Sequence, residues 1–176
     1  SGTTTRVGRD SFLLRLDGVT FGDSERDGIV RDNRFYHKDL DISLTFPKGW
    51  HIDNQAQKII ATPKSKDGLM QITVTGIKGQ QSPQQFMKQR MQLENMRQGE
   101  TFTTAGLKGY TAVADGNTPY GARRVRYVVI YRDGSAYVIA GTARDRNKER
   151  KYDAAILATA KSLHSLTAAE KKLATG

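Results

Sequence analysis

The sequence predicts an α+β fold: an antiparallel sheet covered by two main helices and preceded by an N-terminal arm. Three observations carry this. Short runs of alternating apolar and polar residues are joined by tight turn dipeptides, the pattern of hairpins rather than of parallel crossovers. Two helical segments stand well apart, one mid-chain and one near the C-terminus. With 176 residues, 37% apolar and 26% charged, the chain fills one core and is short for two. A sheet with one apolar face and two amphipathic helices bury each other best as stacked layers.

Residues 1–33 read as an arm or linker. They are polar and Gly-rich, with one short helical candidate at 9–16, where Phe12, Leu13 and Leu16 share a face and Asp17-Gly18 ends the run. Gly22-Asp23 and Asp27-Gly28 are further turn signals. The folded body is expected over 34–166. Ile42, Leu44 and Phe46 alternate with Asp41, Ser43 and Thr45 as in a half-buried strand, and Pro47-Lys48-Gly49 turns the chain. Strands follow at 58–62 and 70–77, with the hairpin at Asp67-Gly68.

Ser82-Pro83-Gln84-Gln85 is a helix start: Ser caps, Pro is tolerated at the first position, and Gln closes a capping box. This helix is expected to reach Gln98, with Gly99 ending it. Its apolar residues, Phe86, Met87, Met91, Leu93 and Met96, spread over a wide arc, which predicts loose packing outside the sheet. Strands at 101–107 and 110–115 are expected around Lys108-Gly109. Strands at 123–131 and 135–142 are joined by Asp133-Gly134, a turn of the primed type. The last helix, 147–165, has a clean stripe of Tyr152, Ile156, Ala160 and Leu163. Thr167-Ala168-Ala169-Glu170 is a second capping box, read as opening a following segment, 167–176.

The chemistry is sparse. There is no Cys, which removes disulfides, thiolate catalysis and Cys-based zinc sites together. His37, His51 and His164 form no HxH or HExxH and read as structural or surface residues. No GxSxG, SxxK or phosphate-cradling glycine loop occurs, and Asp17, Asp23, Asp27, Asp39 and Asp41 sit in turns. The expectation is a fragment with no catalytic, metal or cofactor-binding residues of its own. No apolar run approaches the roughly 18–20 residues of a membrane helix. The start, Ser1-Gly2-Thr3, has no Met and no apolar h-region, which predicts a piece cut from a longer protein.

A net charge of +10 fits a solvated basic surface, a specific anionic partner or nucleic acid, in falling order of expectation. The Lys and Arg concentrate locally in Arg123-Arg124-Val125-Arg126 and in 144–151. Two features stand as a possible partner surface. Arg124, Arg126 and Arg132 share one face of a strand with Val128 and Ile130, while Arg123 points the other way with Tyr127 and Tyr131. Such a strand is either emerging from the core or presenting an anion- or peptide-facing patch. Trp50, the single Trp, is either a plug at the sheet end or an exposed contact residue.

One stretch carries a resemblance. Arg15-Leu16-Asp17-Gly18, Phe21-Gly22-Asp23, Gly28-Ile29-Val30-Arg31 and Phe35-Tyr36-His37 lead into Leu40, the strand to Phe46, and Pro47-Lys48-Gly49-Trp50. This run resembles the region downstream of the peptidase domain in bacterial zinc metalloproteases related to HtpX and the prenyl-protein proteases. From Phe35 to Leu166 the chain also resembles the PsbP-type α/β/α sandwich. No position matches the family's HExxH, so no catalytic residue carries over. The resemblance implies a non-catalytic C-terminal accessory domain in the bacterial periplasm or envelope. Its partners would be the parent's catalytic domain, protein substrates or envelope proteins, with zinc in that catalytic domain and no nucleic acid bound. The alternative is a free-standing PsbP-like binding or adaptor module of the envelope.

Overall fold

The computed structural model describes residues 28–79 and 81–175. Ten strands form two antiparallel sheets. A small sheet has the order β1 (Gly28–Arg31), β2 (Arg34–His37), β3 (Ile42–Thr45). The large sheet comprises β4 (His51–Asn54), β5 (Ile59–Thr62), β6 (Gly68–Gly76), β7 (Glu94–Thr104), β8 (Leu107–Thr118), β9 (Gly121–Arg132) and β10 (Ser135–Ala143). Its order is β4-β5-β6-β10-β9-β8-β7, so the short β4–β5–β6 meander and the long β7–β8–β9–β10 meander join where β10 pairs with β6. Among the described residues three α-helices occur, α1 (Pro83–Arg90), α2 (Glu149–Lys161) and α3 (Ala168–Thr175), with a 3₁₀ turn at Arg146–Lys148 before α2. The fold is thus the antiparallel α+β type that the alternation and turn dipeptides predict, with a second small sheet and a third helix added.

Alternation along the strands sends side chains to two cores. On one face of the large sheet, Met70, Ile72, Val74, Val128, Ile130 and Ile139 meet Ile156 and Ala160 of α2 and Leu163 just past its end, the helix stopping at Lys161 short of the expected 165. Phe35, Ile42, Leu44 and Phe46 of the small sheet and its exit complete this core. On the other face, Tyr110, Ala112, Val125, Tyr127, Val129 and Val138 receive Phe86 and Met87 of α1. Phe86 and Met87 are fully buried, so α1 packs tightly, not loosely. α3 closes back over the small sheet, where Tyr36, Leu166 and Ala174 make a third cluster. Residues 168–175 of the segment read as a following element thus pack on the small sheet.

Several boundaries differ from expectation. The helical candidate at 9–16 lies outside the described residues. Strand pairing begins at Gly28, inside the stretch assigned to the arm, because Gly28–Arg31 forms a hairpin with β2. β4, not expected, pairs antiparallel with β5. The mid-chain helix stops at Arg90 instead of Gln98. Gln92 adopts φ 49°, the left-handed geometry that ends helices, although the residue is not Gly. Met96 then belongs to β7 and Leu93 to the turn before it, which explains why the helical face was so wide. Gly99 does not cap a helix; it sits in β7, where the Tyr110 hydroxyl occupies the place of a Cβ.

The β7–β8 turn falls at Ala105-Gly106, both at positive φ, and not at Lys108-Gly109. The β9–β10 turn falls at Asp133-Gly134, φ 48° and 75°, as the primed pattern predicts. Register shifts on both sides of Arg97, with positive φ at Asn95 and Gln98, bulge β7. This strand is a sheet edge, and bulges there obstruct pairing with another chain.

The first capping box forms in full: the Gln85 N–H donates to Ser82 Oγ at 3.1 Å, and the Ser82 N–H donates to Gln85 Oε1 at 2.8 Å. Ser82→Ala is expected to lower stability by about 1 kcal/mol, read as a shift in the urea midpoint at unchanged slope.

Candidate functional site

The strand registers gather five connections at one end of the large sheet. They are the turn before β4 with Trp50, the β5–β6 loop 63–67, the start of β7, the β8–β9 turn 119–120, and the β10–α2 connection 144–148. The two basic concentrations of the sequence meet here. Arg123 Nε donates to the Arg144 carbonyl at 2.9 Å, and the Arg144 N–H donates to the Asp67 carbonyl at 2.8 Å.

Asp67 is the hub. Its side chain is buried, yet three donors converge on it: Ser65 Oγ and Tyr152 Oη on Oδ1, each at 2.5 Å, and Lys148 Nζ on Oδ2. The Lys148 ammonium, with Ser65 and Tyr152, holds its carboxyl well below the usual carboxylate range against the opposing effect of burial. The same contact raises Lys148 above the ordinary lysine value. Burial, aided by Asp67, pushes the Tyr152 phenol up. Tyr120 reaches the same loop, its hydroxyl 3.4 Å from the Lys66 carbonyl, and burial raises its pKa as well. Trp50 is half-buried and meets the Tyr152 ring edge-on at 5.5 Å between centroids. It therefore plugs the sheet end while keeping part of its surface open.

The four strand arginines separate into two groups. Arg126, only 7% exposed, forms two parallel bonds to Asp153 of α2, Nε–Oδ1 at 2.7 Å and Nη2–Oδ2 at 3.0 Å, and a third to Thr111 Oγ1. Arg132, 9% exposed, lies at the opposite end of the sheet and donates to the Leu40 carbonyl, Asp41 and Ser165. Both guanidiniums are committed inside the fold, where they staple α2 and the small sheet to β9. Arg123 and Arg124 are half-buried and carry no carboxylate partner among the described residues: Arg123 donates to backbone carbonyls, and Arg124 Nη2 donates to Gln98 Oε1 at 3.0 Å. Of the arginines and Trp50 singled out in the sequence, the structure brings Arg123, Arg124, Arg126 and Trp50 to one end and leaves Arg132 at the other.

The depression beside Arg126, Thr142 and Asp153 offers about 10 Å³, room for one water molecule. No group of three or more His, Asp or Glu among the described residues is placed to hold a metal ion. His37 is buried and accepts from the Leu40 N–H, His51 is exposed on β4, and His164 contacts Glu170 at 2.9 Å. No helix among the described residues is long and apolar enough to cross a membrane. Asp67, Lys148 and Tyr152 went unrecognised in the sequence, because Asp67-Gly68 reads as an ordinary turn and its burial has no local signature.

No family model and no curated protein matches the chain in sequence. The fold is similar to the solution structure of the cyanobacterial PsbP protein, CyanoP, from Synechocystis sp. PCC 6803. The TM-score is 0.56 at 12% identity, over 78% of this chain and 95% of that one. A crystal structure from Bacteroides thetaiotaomicron VPI-5482 gives a TM-score of 0.56 at 10% identity, over 80% of this chain and 51% of that one. LpqN, involved in cell envelope biogenesis of Mycobacterium tuberculosis, gives 0.46 at 16% identity, over 84% and 97%. The chain has a PsbP-like fold; at these identities the likeness concerns the fold alone.

Proposed function

We propose that the chain is a non-catalytic binding module, the C-terminal accessory domain of a bacterial envelope zinc metalloprotease. The single observation that carries the finer part is the run resembling the region after such peptidase domains. Its described portion, from Gly28 to Trp50, is built into the fold: Phe35, Tyr36, Leu44 and Phe46 are buried, and Trp50 caps Tyr152. The binding part is supported by the sheet end, where Arg123 and Arg124 are oriented by carbonyl and amide partners and keep their charge unpaired among the described residues. In this reading the module docks onto the parent's catalytic domain, its protein substrates or other envelope proteins, and zinc and peptide hydrolysis belong to that catalytic domain.

The reading frame upstream of Ser1 tests the assignment. An HExxH on a helix, following a signal sequence, is the expected result, and the 176-residue chain is expected to bind no stoichiometric zinc. Tight zinc in this chain overturns the non-catalytic reading. A signal sequence or lipobox opening directly onto the domain gives the case instead to a free-standing adaptor. That second reading has its own support, since the same fold accounts for 95% of the CyanoP chain and so needs no fused domain.

A further inference from the structure

Resting on the reading of this chain as a binding module, we infer that the basic end of the large sheet is its docking face and takes an acidic segment of a protein partner. Six cations gather there without an ion pair among the described residues: Lys48, Lys64, Lys66, Arg123, Arg124 and Arg146. Their placement follows from the topology, because the turns that carry them all lie where β4, β6 and β9 begin and β5, β8 and β10 end. At the opposite end the corresponding turns and their flanks hold Lys58, Lys78 and Lys108, while Arg132 is neutralised by Asp41 and Asp133.

This face is also pre-set. The Arg123 fork is fixed by the Arg144 and Ala122 carbonyls at 2.9 and 2.8 Å, and Arg124 by Gln98. These bonds orient the guanidiniums without cancelling their charge. The loops bearing Lys64, Lys66 and Arg146 are tied together through Asp67, which bonds Ser65 on one side and Lys148 on the other. Ordering that has been done in the free protein is not charged against binding. Trp50 and Tyr120, both half-buried, supply apolar contact between the charges.

The chemistry favours a polypeptide over a phosphate polymer or a lipid surface. Asp145, Glu149 and Asp115 stand among the cations, the first paired with Arg144 and the last with Arg97. A bilayer or a nucleic-acid backbone presents uninterrupted negative charge and would meet these carboxylates at every orientation. A peptide can set its own carboxylates against Arg123, Arg124 and the lysines one at a time and leave neutral residues opposite Asp145 and Glu149.

The test compares two triple variants of the 176-residue chain with the same change in net charge. One is Lys64→Glu/Lys66→Glu/Arg146→Glu at the proposed face; the other is Lys58→Glu/Lys78→Glu/Lys108→Glu at the opposite end. The probe is a fluorescent peptide of about ten residues with Asp and Glu spaced by Ser, read by anisotropy near physiological salt. The face variant is expected to lose about tenfold or more in affinity and the control less than about threefold. Equal losses would mean that net charge alone attracts the probe, and that outcome, or no binding by the parent chain, overturns the proposal. Tighter binding of anionic vesicles or of an oligonucleotide than of the peptide at the same salt overturns it in favour of those surfaces. None of these results touches the question of the upstream peptidase, which the reading frame decides separately.

Discussion

Asp67→Asn is expected to destabilise the fold by about 3 kcal/mol at neutral pH, lowering the melting temperature by about 8 °C for a chain of this size. The carboxylate is 1% exposed and accepts from Ser65, Tyr152 and Lys148 together. An amide of the same shape has one acceptor oxygen, so its NH₂ group must face either the Lys148 ammonium or the hydroxyl donors. At least one donor then loses its partner, and for Tyr152, which is buried, that is the expensive way to break a network. The pH dependence has a definite sign. Asp67 ionises well below its unfolded value, so its contribution is complete above about pH 4, the ordinary unfolded carboxylate range, and shrinks as acid protonates first the unfolded and then the folded chain. Denaturation of wild type and variant from pH 7 to pH 3 is therefore expected to show a gap that is constant down to about pH 4 and narrows below it. A gap that grows in acid would contradict the assignment of Asp67 as a stabilised carboxylate. The variant also loosens the loops that carry Lys64, Lys66 and Arg146, so it links the stability of the fold to the proposed docking face.

The elements that sequence reading located best are those whose signals are local. The Asp133-Gly134 turn needs two positive φ angles in succession, and Asp-Gly is a pair that tolerates them. The capping box at Ser82 and the stripe from Tyr152 to Leu163 likewise depend on residues within one or two turns of each other. The misread region, 91–109, depends on distant groups. A left-handed Gln92 has no sequence signature as strong as Gly, and Gly99 is required by the Tyr110 hydroxyl across the hairpin. Helix-like composition in 91–98 was overridden by pairing with β8, a tertiary effect that propensity does not anticipate.

For the site, the sequence marked the right segments and left their roles open. Arg123-Arg124-Val125-Arg126 and 144–151 are conspicuous as charge, but only the sheet register shows that they meet and that Asp67 joins them. Alternation placed Arg124 and Arg126 on one face without distinguishing the arginine that α2 covers from the one that it leaves half open. Burial by a partner element is what separates a staple from a contact residue, and that partner, Asp153, is 27 positions away from Arg126.

Arg126 provides the second large effect, and it separates stability from binding. Arg126→Met is expected to cost about 2–3 kcal/mol, because Asp153, with 22% of its side chain exposed, loses both bonds, while Thr111 loses a donor. Adding Asp153→Leu is expected to recover most of that loss, since a buried ion pair replaced on both sides by apolar residues of similar volume is often neutral or better. The urea midpoints of the two single variants and the double variant form a cycle whose coupling term measures the pair. Affinity for the acidic peptide provides the other reading. If Arg126 is a staple between β9 and α2, the double variant binds the probe as the parent does. A loss of binding with stability restored would instead move Arg126 into the docking face, and the charge that matters there would extend from the rim of the sheet down along β9.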